Sequence, residues 1–574
     1  MKKTTLTLFS VVLATSITVA QSLDEGRKFL YYERTKSAVE TLEKVVASNS
    51  KDPKSIYWLG QAYLAADDIA KAKALYQKAL NEGVNDPYIW IGMGHVELLE
   101  GADKNAARQR FDQAITTATP TKGKNKGNPD ADILNAVGRA NADGSSQQGD
   151  PLYGIEKLKK AAELNLTDPD IDINLGKSYL KLGSDKGGEA VEAFTDATRR
   201  NPQFAAAYAR IGRIYQSQNN LEFMNEWYGK AITADPAYAP VYLAYFNYYK
   251  ERDVNAAKEY LDKYVANADK DCETDYFVAD YLYRAGKNQE SIAKAKEMES
   301  GACKDYIRTS IIYAYNYDKL GDSVQAKSYV DKFFSAAPAD KIEATDYVFA
   351  ARLYTKFPGS EAQAIQYINK AVEVDTVNAN RMNYLNSAAA MLAAAKKFPE
   401  QLAMLLKMKE MKGKPFTGTE YYYVTKAAVD AKDCAAVDSL SKQYVASYPD
   451  QAQGYSLSVA GAKACDVDTT KGLAVEPINN YNTFLMKDQE KNKKTIFNNY
   501  YYLLIYYAQY AKQLDTAVAI TDKMKTLYAD PASEEYKFAD ETGKKLQTAL
   551  QKKSSGSTNG SGQTKSTGSS GKLK

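Results

Sequence analysis

Between Ile56 and Pro87 the apolar and small residues fall three and four apart, in two runs parted by a polar break. Gly60 and Tyr63 lie in the first run, Ala72, Tyr76 and Ala79 in the second, and Asp86-Pro87 closes the segment. This spacing predicts two antiparallel helices of about a dozen residues each. Gly60 and Ala72 let the backbones approach, and Tyr63 and Tyr76 fill the space around them. Asp-Pro stops the second helix and opens the next unit. Thirty-four residues back the same classes recur as Gly26, Phe29, Ala38, Leu42, Val45 and Pro53. Thirty-four forward from Gly60 stands Gly94, with Trp90 four residues before it.

Further copies follow with drift. One carries Leu175, Gly176, Tyr179, Ala190, Phe194, Ala197 and Pro202; another carries Tyr208, Ile211, Gly212, Tyr215, Tyr228, Ala231 and Pro236. Before them Asn135 to Pro169 is a copy whose inner turn has grown into a loop of breakers, NADGSSQQGDP. The motif resembles the tetratricopeptide repeat (TPR) family. The resemblance implies an all-α fold, a TPR-like α-solenoid of about 13 antiparallel helix pairs, curled into a superhelix. Residues 21–236 read as well-matched repeats and 237–410 as degenerate ones. Residues 411–550 read as degenerate C-terminal helical hairpins, with MKGKPFTGTE (Met411 to Glu420) as the expected internal boundary.

The two ends differ from this body. Residues 1–20 combine Lys2 and Lys3 with a short apolar run and the small residues Thr18 and Ala20, which predicts an export signal cleaved before Gln21. No later apolar run is long enough to span a bilayer. Residues 551–574 read as a flexible Gly, Ser, Thr and Lys tail. The net charge of +4 comes from the lysines of these ends, so the body is slightly acidic and shows no nucleic-acid footprint. Four cysteines form two pairs of equal spacing, Cys272 with Cys303 and Cys434 with Cys465. In an exported chain that pattern predicts two local disulfides. Four half-buried thiols are the alternative, and a zinc site is disfavoured because no C-x-x-C pair exists.

Candidate chemistry is sparse. The chain holds 45 Tyr and a single His, His95. In the densest tyrosine run, NNYYYLLIYYAQYAKQ (Asn498 to Gln513), Leu503, Tyr506, Tyr507 and Tyr510 share one helical face and read as core. Tyr500, Tyr502 and Gln509 are left as surface. GMGHVE lacks the strand and third glycine of a dinucleotide loop, and the aspartates at 168, 170 and 172 lack the rest of a calcium loop. No catalytic constellation, cofactor motif or metal-ligand spacing emerges, so the chain reads as a non-enzyme.

The remaining candidate is the concave surface that the TPR resemblance assigns to the first helix of each pair. The residue after the signature glycine gives Gln61, His95, Lys177 and Arg213, with Asn247 one repeat on. Arg210 and Lys250 lie one turn from Arg213 and Asn247, and Tyr57 and Tyr88 lie near one end. Such a basic, amide-bearing ladder suits a protein or peptide partner with an acidic segment or a C-terminal carboxylate. The Lys and Asn clamp of some family members is not reproduced, since Ile173 stands at its first position. The expectation is an exported scaffold or adaptor of the periplasm or outer-membrane surface. In composition it resembles exported TPR proteins of Bacteroidota, some of which serve secretion or envelope assembly. The alternative is a glycan-binding surface protein, in which a tyrosine patch joined by Trp58, Trp90 and Trp227 would stack on sugar rings.

Overall fold

The computed structural model of the protein describes residues 22–101, 103–145 and 148–556. The expected signal at 1–20 and the tail from 557 onward lie outside them. Every regular element among the described residues is helical, and the helices stack as consecutive antiparallel pairs in a TPR-like solenoid. The chain divides into two compact units after Phe333.

In the first unit the pairs are α1 (22–31) with α2 (Thr35–Ser48), α3 (Pro53–Ala65) with α4 (Ile69–Asn81), and α5 (Pro87–Leu99) with α6 (Lys104–Thr117). Then come α7 (Ala131–Ala142) with α8 (Pro151–Leu164), α9 (Pro169–Leu182) with α10 (Gly187–Arg200), and α11 (Ala205–Ser217) with α12 (Leu221–Ala234). The last three are α13 (Ala239–Tyr249) with α14 (Val254–Asn267), α15 (Cys272–Arg284) with α16 (Asn288–Ser300), and α17 (Arg308–Lys319) with α18 (Ser323–Ala336), in which the division falls.

Local chemistry explains these limits. Asp52, Asp86, Asp150 and Asp168 each accept a backbone N–H of the first turn, and a proline that needs no acceptor follows each of them. Within a pair, the close approach is set at the glycine. A Cβ on Gly60 would penetrate the ring of Tyr76, and one on Gly92 of the following pair would strike the same ring from the other side. The Tyr76 hydroxyl donates to the Tyr57 carbonyl at 2.9 Å, so the fully buried ring carries its polar atom without penalty. Phe111 meets Gly94, Phe194 meets Gly176 and Tyr228 meets Gly212 in the same way.

The second unit holds α19 (Ala344–Tyr354) with α20 (Glu361–Val374), α21 (Asn378–Ala394) with α22 (Phe398–Lys412), and α23 (Gly418–Asp430) with α24 (Cys434–Ser447). It continues with α25 (Ala452–Cys465) and α26 (Val475–Leu485), then α27 (Gln489–Ile505) and α28 (Leu514–Leu527), and closes with α29 (Glu534–Gly556). The connection Met411 to Glu420, expected as a boundary, lies inside this unit. Its Phe416 is buried, Lys412 pairs with Glu420, and Thr417 with Glu420 forms a capping box for α23. Helix α29 runs to Gly556, into the stretch read as tail.

The tyrosine-rich run needs correction. Tyr500, expected at the surface, is 7% exposed, and Tyr510, expected in the core, is 42% exposed. The buried face of α27 is Ile496, Asn499, Tyr500, Leu503 and Leu504. A π-helical turn over Tyr506 to Tyr510 then widens the helix, shifts the phase of its faces and carries Tyr510 outward.

Both disulfides are present. Cys272–Cys303 ties the start of α15 to the connection after α16, and Cys434–Cys465 ties the start of α24 to the end of α25. Adding a methyl at the tightest contact, Gly60→Ala, is expected to cost about 1–3 kcal/mol by overpacking against Tyr76, read from urea unfolding followed by far-UV circular dichroism. Replacing Cys272 and Cys303 together by Ser is expected to remove roughly 3 kcal/mol of loop-closure stabilisation. Hydrogen exchange should register that loss first in α15 to α17.

Candidate functional site

The first unit does not stay open. Its N-terminal hairpin returns to meet the repeats some two hundred residues later: the Tyr31 ring packs on Phe204 at 4.9 Å and on Tyr238 at 5.2 Å. The inner face of the unit thereby becomes a cavity of 820 Å³, walled by α1, α3, α5, α7, α9 and α11. Its size is that of a small-ligand site.

Four of the expected ladder residues, Gln61, His95, Lys177 and Arg210, reach this cavity together. His95 is only 3% exposed, and its Nε2 donates to the Asp143 carboxylate at 3.0 Å. Burial works to raise the carboxyl pKa of Asp143, but the His95 hydrogen bond and charge, with the Lys177 ammonium, hold it below the usual range. The other ring nitrogen, His95 Nδ1, is buried without a partner. Gln61 leans back into the core, where its Nε2 donates to the Tyr76 hydroxyl at 3.3 Å.

Neither Lys177 nor Arg210 makes an ion pair or hydrogen bond with a described residue, and Arg210 Nε is buried and unsatisfied, although Asp143 and Asp170 of the same lining act on Lys177 through space. Desolvation, and then the Arg210 charge, pull the Lys177 ammonium down to about 8 against the opposing pull of Asp143 and Asp170.

The other candidates lie elsewhere. Tyr57 is 1% exposed and belongs to the core, where its hydroxyl accepts from Arg139 at 3.0 Å. Tyr88 packs on Tyr57 at 5.3 Å beneath Lys54. Arg213 and Asn247 are exposed outside the cavity, and Lys250 pairs with Asp280 at 4.0 Å. The ladder shifts by one turn at α11 because α1 closes over the N-terminal half of that helix. Ala206 and Arg210 therefore face inward and Arg213 lies beyond.

Two residues of the same ladder went unremarked in the sequence. Arg27 follows Gly26 and Arg139 follows Gly138, just as His95 follows Gly94. They grip Trp58 between them, with guanidinium carbons 4.8 and 4.6 Å from its ring centre. Arg139 also pairs with Asp170, which accepts from Asn135 at 3.1 Å and from Asn174 at 3.1 Å. That pairing neutralises Arg139.

The tryptophans do not share a patch. Trp58 is clamped in the cavity, Trp90 is buried with its Nε1 on Asn85 at 2.8 Å, and Trp227 stacks on Tyr208. In the second unit, a cavity of 860 Å³ among α24, α25 and α26 is lined by small, aromatic and polar residues together with Glu476 and Lys487, and its Asp438 and Lys442 pair with each other. Among the described residues no helix is long and apolar enough to cross a membrane.

Comparison with known proteins places the motif. Residues 29–94 and residues 173–239 each match a family model described as tetratricopeptide repeat, and both lie in the first unit. Among solved structures, the C-terminal part of a TPR repeat-containing protein from Cytophaga hutchinsonii is 21% identical over 46% of this chain and 98% of its own, with a TM-score of 0.27. Yeast Tom70 is 15% identical over 73% of this chain and 96% of its own, with a TM-score of 0.38. YrrB, described as a TPR protein with an unusual peptide-binding site, is 23% identical over 35% of this chain and 94% of its own, with a TM-score of 0.21.

Lys177 carries a pH signature with a definite sign. A lysine of ordinary pKa near 10.4 in the unfolded chain and about 8 in the folded protein binds its proton more tightly when unfolded. The charged side chain therefore destabilises the fold fully below pH 8, and that cost disappears as pH rises toward the unfolded value. Lys177→Met is expected to raise the melting temperature at pH 7 and to lose most of that advantage by pH 10, measured by thermal unfolding across the range.

Proposed function

We propose that this protein is an exported, non-catalytic interaction scaffold whose first unit receives an acidic segment or C-terminal carboxylate of a partner polypeptide. The observation that carries this reading is the pair Lys177 and Arg210, two inward-facing cations that make no direct ion pair with a described residue, in a cavity that also holds the unsatisfied Nδ1 of His95. An unpaired charge kept out of bulk water is costly, and a carboxylate entering the cavity offsets that cost through charge-assisted hydrogen bonds. The two tetratricopeptide matches support the same role, because the repeat builds an extended inner surface suited to polypeptide partners.

Two disulfides and the apolar N-terminal segment following Lys2 and Lys3 support an exported location, at the periplasm or outer-membrane surface, with envelope assembly or secretion as the process served.

The test is capture of partners from the native envelope with quantitative mass spectrometry, using the wild type beside Lys177→Glu with Arg210→Glu, and Arg213→Glu as a charge control outside the cavity. Reversing the two cavity cations is expected to reduce recovery of a specific partner at least about tenfold, in line with a lost buried charge pair. The control should leave recovery unchanged. Equal recovery by a folded double variant would count against the cavity as the binding site.

A further inference from the structure

In an open solenoid each repeat touches only its sequence neighbours. The first unit breaks that rule at one seam. The Tyr32 hydroxyl donates to Asp235 at 2.9 Å, Arg34 Nε donates to Asp269 at 3.0 Å, the Ser37 N–H donates to Asp269 at 3.0 Å, and Lys36 Nζ donates to the Lys270 carbonyl at 3.3 Å. Asp269 is 6% exposed and also accepts the Ser37 hydroxyl, so one buried carboxylate gathers most of the polar contacts that the turn between α1 and α2 makes.

The two sides of the seam are held differently. On the receiving side, the Asp269 carbonyl accepts the Thr274 hydroxyl at 2.8 Å, and three residues after Asp269 Cys272 is stapled to Cys303. On the other side stands the α1 and α2 hairpin, which no disulfide ties and which packs in sequence on α3.

We propose that the α1 and α2 hairpin is a latch, which parts from Asp235 and Asp269 to admit a ligand to the cavity and closes over it. The inference rests on reading the cavity as the binding site and adds how that site is entered. Tyr31 couples the two events, because it belongs to the hairpin, lines the cavity and packs on Phe204 and Tyr238 across the seam. A ligand held by Lys177 and Arg210 meets Tyr31 only when the hairpin is shut. That difference in contacts between the open and shut forms is what lets occupancy shift the population toward closure.

The experiment reads access without needing the partner. Lys177 is labelled with a biotin N-hydroxysuccinimide ester at pH 8, and its rate is followed by peptide mass spectrometry against the exposed Lys126 as internal reference. Asp269→Asn, which keeps the side-chain shape, removes the charge and lies outside the cavity lining, is expected to raise the Lys177 rate at least about fivefold, and Tyr32→Phe, which loses one seam hydrogen bond at the cavity edge, to raise it less. Amide exchange in α3 to α14 is measured on the same samples. A faster Lys177 rate with unchanged exchange in those helices is the opened seam. An unchanged rate in folded Asp269→Asn overturns the latch, and so does a rise accompanied by loss of protection throughout the unit. Because no partner enters the assay, its failure and the failure of the capture experiment are separate results.

Discussion

The contact between a glycine on one helix and an aromatic ring on its partner is the constraint from which the first unit is built. Tyr76 lies between Gly60 and Gly92, so one ring sets the distance within its own pair and to the next pair at once. Repeated at Gly94, Gly176 and Gly212, this contact fixes the small rotation per repeat that accumulates into curvature. Curvature in turn brings the first hairpin round to Phe204, Tyr238 and Asp269. The cavity is thus a distant result of where side chains are absent.

Inside that cavity the electrostatics are partly settled and partly open. Arg139 is matched by Asp170, and His95 by Asp143, each pair supported by further hydrogen bonds that make burial of the charges tolerable. Lys177 makes no such direct pair, and its pKa falls through desolvation first and the nearby Arg210 charge second.

Much of the fold was legible because its determinants are local. Helix periodicity, Asp-Pro starts and the recurring glycine depend on residues within one or two turns, so the pairs from α3 to α12 could be read directly. The later pairs keep the periodicity but lose the glycine signature. The internal division was accordingly expected near Met411, where a run of Lys, Gly and Pro suggested a break, although Phe416 is buried there and the capping box at Thr417 starts the next helix. The equal spacing of the cysteines was informative for a related reason: helix-pair geometry returns the chain to nearly the same place after one repeat, close enough for both disulfides to close.

The ladder following the glycines was determined by sequence alone, since helical register puts Arg27, Gln61, His95, Arg139 and Lys177 at equivalent positions of successive helices. Which of them remain available was decided only by tertiary structure. Tyr57 sank into the core, Arg139 found Asp170, and Arg210 took the inward place that register alone assigned to Arg213. The physical reason is that pairing and closure depend on residues two hundred positions apart. Their meeting follows from the summed curvature of many repeats, a quantity to which each short stretch of sequence contributes a little and which none of them states.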